Sequence, residues 1–224
     1  MQSNLKEKKE FLAEFNDTYE KGYEGVYNMY DEMVTIVGDH IGPVIHGLFK
    51  KFDIPKESRI LDVGCGTGRA VQLVSQDGYK NIDGLDPSEE MIKVAMTKGI
   101  YQKFISGYLT TPEEVPKDLV GAYDVVVAGA LFITPKHAEP EAYECLPCVL
   151  KKGGLAIFTT DEFNQTPAEL AYKEKRMAMV KEGKWKLLKE FQGLKYDKLT
   201  EELATKDGRF SGQRMETFSV FQKL

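Results

Sequence analysis

RILDVGCGTGR, residues 59–69, joins a short apolar run to three glycines on alternate positions. A helical pattern follows at once, which is typical of a buried strand that turns tightly into a helix. Glycine permits a positive φ in such a turn, and its missing Cβ lets a ligand approach bare backbone. The free N–H groups at the start of the helix then face whatever lies on the turn. The segment therefore predicts a strand–turn–helix unit that can bind a ligand.

Strands and helices alternate along the chain after this unit. Further strands are predicted at 81–86, 103–108, 122–132 and 155–160, and helices at 70–76, from 88 onward, and at 139–150. This alternation indicates an α/β fold with a doubly wound, mostly parallel sheet. Outside this region, helices are predicted within 5–52, one of them over 34–51, and at 169–189. Two closing strands are predicted at 187–196 and 215–224.

Composition bounds the class of protein. The chain has 224 residues, of which 42% are hydrophobic, which suits one domain with a small appended lobe. We expect residues 1–55 to form an N-terminal helical lid and residues 56–224 one compact unit. The formal net charge of −5 disfavours nucleic acid and anionic membranes as partners. The longest apolar run, 125–133, is too short to span a bilayer, and no secretory signal is apparent near Met1, so a cytoplasmic location is expected.

The three cysteines are an odd number and do not make a disulfide framework. Cys145 and Cys148 form a CxxC pair, but no second pair or histidine cluster completes a zinc site. We therefore interpret this pair as part of a buried helix end and expect no metal.

Asp86 ends the second predicted strand, 20 residues after Gly66. A carboxylate at this place binds the ribose diol in doubly wound folds. The glycine spacing differs from the G-x-G-x-x-G of nicotinamide and flavin binders, which disfavours an oxidoreductase. A helix cap is the alternative role for Asp86, but its position favours the ribose.

LDVGCGTG and IDGLDPSEEMI resemble motif I and the acidic second-strand motif of class I S-adenosylmethionine-dependent methyltransferases. VVVAGALFITPKHAEPEA and LKKGGLAIFTT resemble, more closely, the methyltransferase-like proteins named for the Williams–Beuren chromosomal region. The resemblance implies a Rossmann-like, seven-stranded sheet with its last strand antiparallel, a lid of N-terminal helices, and S-adenosylmethionine as cofactor.

The resemblance also implies roles for individual residues. It assigns the methionine part of the cofactor to Asp62 and the glycine turn, the ribose to Asp86, and the adenine to the residues after it. Relatives often carry an acid after the third strand, where this chain has Tyr108 and Leu109, so backbone or packing is expected to hold the adenine. The predicted cofactor residues are Tyr30, Asp62, Gly64, Cys65, Gly66, Asp86, Pro87, Met91, Tyr108, Leu109, Gly129 and Ala130.

Candidate catalytic and acceptor residues follow from position. His137 comes after the fourth strand, at the pocket mouth, and is the candidate base wherever the acceptor must lose a proton. Aromatic residues at helical spacing near the N-terminus pack in the core or, in the lid, contact the cofactor or acceptor. The predicted acceptor residues are Tyr23, Tyr27, Leu131, Asp161 and Asn164.

The leading hypothesis is a methyltransferase that acts on a small molecule, mainly by aligning nucleophile and methyl group. A macromolecular acceptor is the first alternative; against it stand the net acidity and the sequence Gly129-Ala130-Leu131-Phe132, where many nucleobase and glutamine methyltransferases carry an Asn/Asp-Pro-Pro-Tyr-like string. A second alternative is a cofactor-binding module without catalysis. The sequence leaves the acceptor and the oligomeric state open.

Overall fold

The computed structural model describes residues 2–21, 25–133, 137–161, 166–199, 203 and 214–224. These residues form a seven-stranded sheet with the order β3-β2-β1-β4-β5-β7-β6. Strands β1 to β5 are parallel, and β7 is antiparallel to both β5 and β6. The predicted doubly wound, mostly parallel sheet is thereby confirmed. The strands are β1 Ile60–Val63, β2 Ile82–Asp86, β3 Lys103–Ser106, β4 Tyr123–Phe132, β5 Leu150–Thr160, β6 Trp185–Tyr196 and β7 Arg214–Lys223.

Helices precede the sheet and connect its strands. They are α1 Gln2–Glu20, α2 Tyr30–Val37, α3 Ile41–Lys51, α4 Gln72–Gln76, α5 Glu89–Thr97, α6 Cys145–Val149 and α7 Pro167–Lys181. Ser88 caps α5, because its side chain accepts a hydrogen bond from the Met91 N–H. No helix in the described part of the chain is long and apolar enough to cross a membrane.

The single helix predicted over 34–51 is wrong, because the structure divides it into α2 and α3. Gly38 ends α2 with a φ of 73°, a left-handed conformation that favours glycine. Pro43 lies in the first turn of α3, where its missing N–H costs no helical hydrogen bond. The break brings Asp39 to the start of α3, and this position matters for the site below.

Two other helix boundaries differ from the prediction. The segment 139–150 consists of a 3-10 helix, Pro140–Glu144, followed by the short α6. Helix α7 ends at Lys181 rather than at 189, because Gly183 turns the chain with a φ of 69° into β6.

Alternate side chains of the central strands pack into two apolar clusters, one on each face of the sheet. Leu61, Val126 and Phe158 belong to one cluster, and Ile60 and Val127 to the other. Burial on both faces is typical of parallel strands. Both faces of the central strands are therefore buried.

A third apolar cluster joins α1 and α2 to the carboxyl end of the sheet. It contains Leu12, Phe15 and Met33 from the N-terminal segment, together with Met91 of α5 and Tyr196 of β6. The N-terminal helices thus lie over the point where β1 is flanked by β2 and β4. In open α/β sheets ligands bind at this point, where the strand order reverses.

Candidate functional site

The glycine turn after β1 leaves one stretch of backbone open. Gly64, Gly66 and Gly68 all have positive φ values, 67°, 50° and 88°. A Cβ on Gly64 would lie 2.9 Å from Leu131 Cδ1, and one on Gly68 would lie 3.1 Å from the Tyr101 ring, so packing restricts both positions. A Cβ on Gly66 would meet no atom within 4 Å. The backbone at Gly66 is therefore accessible to a ligand.

Asp86 links this turn to β2 and α5. Its Oδ2 accepts a hydrogen bond from the Gly66 N–H at 2.8 Å, and its Oδ1 accepts one from the Ser88 N–H at 2.9 Å. Burial raises the pKa of Asp86, and these two backbone bonds oppose the rise. The turn and the carboxylate are thus held in fixed register beside the same space.

A cavity of about 580 Å³ lies over the turn and beneath α1 and α2. A second, mainly apolar cavity of about 400 Å³ adjoins it and shares Gly64, Pro87, Tyr108, Leu131 and His137 with it. Both volumes fall within the roughly 300–1,000 Å³ of small-molecule sites. All the predicted cofactor residues except Asp62 and Leu109 line the larger cavity, and Leu109 lines the smaller one.

The structure brings only part of the predicted acceptor set together. Leu131 and Asp161 line the larger cavity, whereas Tyr27 lines neither cavity and packs against the third apolar cluster. Tyr23 and Asn164 lie outside the described residues.

Asp62 lies beneath the turn rather than on the cavity wall. Its side chain is fully buried, and its Oδ2 accepts a hydrogen bond from the Tyr101 hydroxyl at 2.7 Å. Its Oδ1 has no hydrogen-bond partner among the described residues. Burial raises the pKa of Asp62 to about 7, and the Tyr101 bond opposes the rise. The carboxyl group therefore supports the turn from below.

His137 lines both cavities and contacts two elements. Its Nε2 lies 2.8 Å from the Tyr19 hydroxyl of α1, and its Nδ1 lies 3.3 Å from the Ala130 carbonyl oxygen. Both contacts are satisfied when Nδ1 donates to Ala130 and Nε2 accepts from Tyr19. Tyr19 is one of the aromatic residues at helical spacing near the N-terminus, but the sequence did not pair it with His137.

Ala130 has an unusual backbone conformation at the end of β4. Its φ is 57°, and its N–H donates a hydrogen bond to Thr159 Oγ1 at 2.8 Å. The pairing of β4 with β5 shifts register between Ala128 and Phe132. A left-handed non-glycine residue on a cavity wall is a local strain of the kind that concentrates at functional sites.

Asp31 of α2 attaches the N-terminal helices to the turn. Its Oδ1 accepts a hydrogen bond from Thr67 Oγ1 at 2.6 Å, and its carboxylate pairs with Lys98 after α5. We call this set of contacts the Asp31 bridge. The neighbouring Tyr30 lines the cavity, and burial raises its pKa well above the usual value, so its hydroxyl stays protonated.

Several charged side chains line the end of the larger cavity away from Asp86, and sequence reasoning named only one of them, Asp161. Arg214 of β7 lies 3.2 Å from Asp161, and Lys195 of β6 donates to Glu216 at 3.0 Å. Arg69 and Asp39 also line this end. Strand pairing brings these residues together from distant parts of the chain, so spacing alone carried no signal for them.

In the described part of the chain, no group of three or more histidine, cysteine, aspartate or glutamate side chains could hold a metal ion. Cys145 is buried, Cys148 is partly buried, and both are free thiols.

Comparison with known proteins agrees with this geometry. A family profile described as a methyltransferase domain matches residues 60–154. Methyltransferase-like protein 27 of Homo sapiens is 33% identical over 123 residues, which cover 54% of this chain and 46% of that protein. A ubiquinone biosynthesis O-methyltransferase of Bordetella avium is 29% identical over 115 residues, which cover 51% of this chain and 46% of that protein. The matches thus span less than half the length of these two curated relatives.

Solved structures share the fold at low identity. Magnesium protoporphyrin IX methyltransferase from Synechocystis PCC 6803, solved with bound S-adenosylmethionine, aligns with a TM-score of 0.54 at 17% identity over 82% of this chain and 78% of that chain. Residues 60–154 are thus similar to a methyltransferase domain, and the sheet has the fold of a solved methyltransferase.

Proposed function

We propose that the protein transfers a methyl group from S-adenosylmethionine to a small-molecule acceptor and releases S-adenosylhomocysteine. The observation that carries the proposal is the Asp86 carboxylate, which is held against the open backbone of Gly66 on the wall of the larger cavity. A carboxylate in this place suits a ribose diol, and bare backbone lets the rest of a nucleoside approach closely.

The adenosine half fits the side of the turn nearest β2. There Asp86 would accept hydrogen bonds from the ribose hydroxyls, and Pro87 and Met91 would line the adenine. The smaller cavity, lined by Tyr108 and Leu109, is mainly apolar and suits the face of a purine. Packing against these side chains then replaces the acid that relatives often carry after the third strand.

The chain's own contribution to the reaction is alignment and exclusion of water. The bound cofactor supplies a methyl group that its sulfonium already activates. Helices α1 and α2 cover the cavity, and Leu131 and Asp161 border the space left for the acceptor. His137 takes a proton from the acceptor at Nε2, the atom that now contacts Tyr19, after that hydroxyl has moved aside or relayed the proton.

The helices that line the larger cavity favour a small acceptor over a macromolecule. Its walls include Phe15, Tyr19 and Tyr30 of the covering helices, so a large acceptor would have to displace them. The net charge of −5 gives no long-range attraction to nucleic acid.

The free thiols of all three cysteines support a cytoplasmic location. Membership of the Williams–Beuren-type subgroup also stays a prediction. The resemblance to that subgroup rests on short sequence strings alone.

Calorimetry with S-adenosylmethionine and S-adenosylhomocysteine tests cofactor binding, with Gly66→Ala as the variant and Gly121→Ala as its matched control. Both glycines have a positive φ, 50° and 62°, and a Cβ at either meets nothing within 4 Å. Both substitutions therefore strain the backbone alike, but only Gly66→Ala places a methyl group in the cavity. We expect affinity to fall at least about tenfold for Gly66→Ala, the equivalent of about 1.4 kcal/mol, and to stay near the parent value for Gly121→Ala.

Transfer itself is tested with methyl-labelled cofactor in cell extract. Label that appears in the small-molecule fraction, and not in protein or RNA, supports the proposal. Label in a macromolecule would show that the acceptor class is wrong, and cofactor binding without any transfer would indicate a module without catalysis.

A further inference from the structure

Two opposite charges at the far end of the larger cavity have no ion-pair partner in the part of the chain that the structure describes. Arg69 follows the last glycine of the turn, and Asp39 precedes α3; both line the cavity. Among the described residues, neither side chain lies within 4 Å of an opposite charge. The Asp39 carboxylate accepts only a long hydrogen bond, 3.4 Å, from the Ile41 N–H. The pair is therefore available to a ligand that carries both signs of charge.

The other charges at this end of the cavity are already engaged. Lys195 is bound to Glu216 at 3.0 Å, and Arg214 is bound to Asp161 at 3.2 Å. Burial raises the pKa of Asp39, whereas the Ile41 N–H, Arg69 and Lys195 oppose the rise. A cation bound beside Asp39 would lower the pKa of this carboxyl group further and keep it ionised.

The position of the pair identifies which part of the cofactor reaches it. Strand β2, which ends in Asp86, lies on one side of β1, and β4 lies on the other. Arg69 and Asp39 stand on the β4 side: a Cβ on Gly42 would lie 2.9 Å from the Arg69 carbonyl oxygen, and one on Gly129 would lie 3.2 Å from Ile41 Cγ2. A nucleoside whose ribose is held at Asp86 must extend its 5′ substituent across the turn toward this pair.

We infer that Asp39 and Arg69 bind the amino-acid end of S-adenosylmethionine, Asp39 its α-ammonium group and Arg69 its α-carboxylate. This inference rests on the proposed function. Because charge-assisted hydrogen bonds are about twice as strong as neutral ones, the pair discriminates a complete cofactor from nucleosides that lack the amino acid. Sequence reasoning missed Asp39, since the break between α2 and α3 that exposes it was not predicted.

The test compares S-adenosylhomocysteine with 5′-methylthioadenosine, which keeps the adenosine and the thioether but lacks the amino acid. Affinities are measured by calorimetry for the parent, Asp39→Asn, Arg69→Gln and the control Asp197→Asn. Asp197 is a carboxylate near the same helix break, paired with His40 at 2.8 Å, and it does not line the cavity. We expect Asp39→Asn and Arg69→Gln each to weaken S-adenosylhomocysteine binding about tenfold or more and to leave 5′-methylthioadenosine within about twofold.

A third ligand separates the two residues. Decarboxylated S-adenosylmethionine keeps the ammonium group and lacks the carboxylate, so Arg69→Gln should not weaken its binding while Asp39→Asn should. Unchanged binding of 5′-methylthioadenosine also shows that each variant is folded. Equal losses for all ligands, or none for any, would overturn the inference while leaving the proposed function intact. A parent protein that binds none of these nucleosides would refute the proposed function and this inference together.

Discussion

Asp62 supports the glycine turn from below, although its side chain does not line either cavity. The carboxyl group is buried under the glycine turn, and its hydrogen-bond partner among the described residues is the neutral Tyr101 hydroxyl. In the unfolded chain an aspartate ionises near pH 4, whereas in the folded protein burial raises the pKa of Asp62 to about 7. The folded state therefore holds a proton that the unfolded state has lost. Its stabilising contribution is complete below about pH 4 and disappears as the pH rises through 7.

We predict that Asp62→Asn removes this pH dependence. Asparagine resembles the protonated acid, and its oxygen can still accept from Tyr101. Three pKa units correspond to as much as about 4 kcal/mol, so the variant should melt at least about 5 °C above the parent at pH 8 and close to it at pH 4. Differential scanning calorimetry at both pH values measures this.

Asp83 provides the control for the Asp62 prediction. It is a buried carboxylate on the adjacent β2, but it contacts Arg59 at 3.1 Å and the Tyr123 hydroxyl at 2.9 Å. Asp83→Asn loses its ion pair and should lower the melting temperature at both pH values. An Asp62→Asn variant less stable than the parent at pH 8 would contradict the prediction.

The residues that sequence could predict are those whose role depends on neighbours in the chain. Asp86 follows a strand and precedes a capped helix, so local pattern alone located it beside the turn. Asp39 and Lys195 gained their positions from the break after α2 and from the pairing of β6 with β7. Asp62 has the expected position in the motif, but the direction of its side chain depended on the packing of Tyr101.

At the level of elements, the Asp31 bridge connects α2, the glycine turn and the end of α5. Thr67 is almost completely buried, and its hydroxyl donates to a carboxylate, which makes a stronger bond than one between neutral groups. Since Tyr30 is adjacent in α2, the bridge also fixes one wall of the cavity. We therefore expect the docking of α2 and the binding of a ligand on the turn to be coupled.

We predict that Thr67→Val weakens this coupling. Valine keeps the shape and the β-branch but removes the donor, and a hydrogen bond to a charged group contributes about 1.5–3 kcal/mol. S-adenosylhomocysteine affinity should fall by up to about tenfold, and limited proteolysis should cut the α1–α2 segment sooner. Thr35→Val is the matched control, because Thr35 Oγ1 donates at 2.7 Å to the Asp31 backbone carbonyl on the exposed side of the same helix. Equal behaviour of the two variants would show that the bridge has no role in binding.

The sequence predicted the strands and helices that have a clear residue pattern and clear end signals. It did not predict helix ends that depend on a single glycine. The five parallel strands follow from their apolar runs. Gly38 and Gly183 each end a helix whose polar and apolar pattern continues past them, so periodicity alone extended α2 and α7 too far. The broken segment 139–150 contains two prolines, and its 3-10 turn was not distinguishable from a helix by pattern.

On the scale of the whole molecule, the N-terminal helices are distinct from the sheet in packing but share the cavity with it. The two clusters beside the sheet include no residue of α1 or α2, which pack instead in the third cluster with Met91 and Tyr196. Phe15, Tyr19 and Tyr30 nevertheless line the same cavity as the glycine turn. Helix α3, by contrast, packs in the second sheet cluster through Ile41, Ile45 and Phe49. A lid formed by residues 1–55 therefore stays a prediction, and within it only α1 and α2 have the packing expected of a lid.

We predict that the ligand couples the two parts energetically. If α1 and α2 must open before S-adenosylhomocysteine leaves, a ligand concentration 100 times the Kd stabilises the closed form by about 2.7 kcal/mol. Amide hydrogen exchange in α1 and α2 should then slow by up to about 100-fold, together with that of the glycine turn. Helix α7, which lines neither cavity, serves as the internal control and should keep its rate wherever its amides exchange by local opening. Protection confined to the turn and α5 would mean that α1 and α2 do not cover the bound ligand and form an appendage rather than a lid.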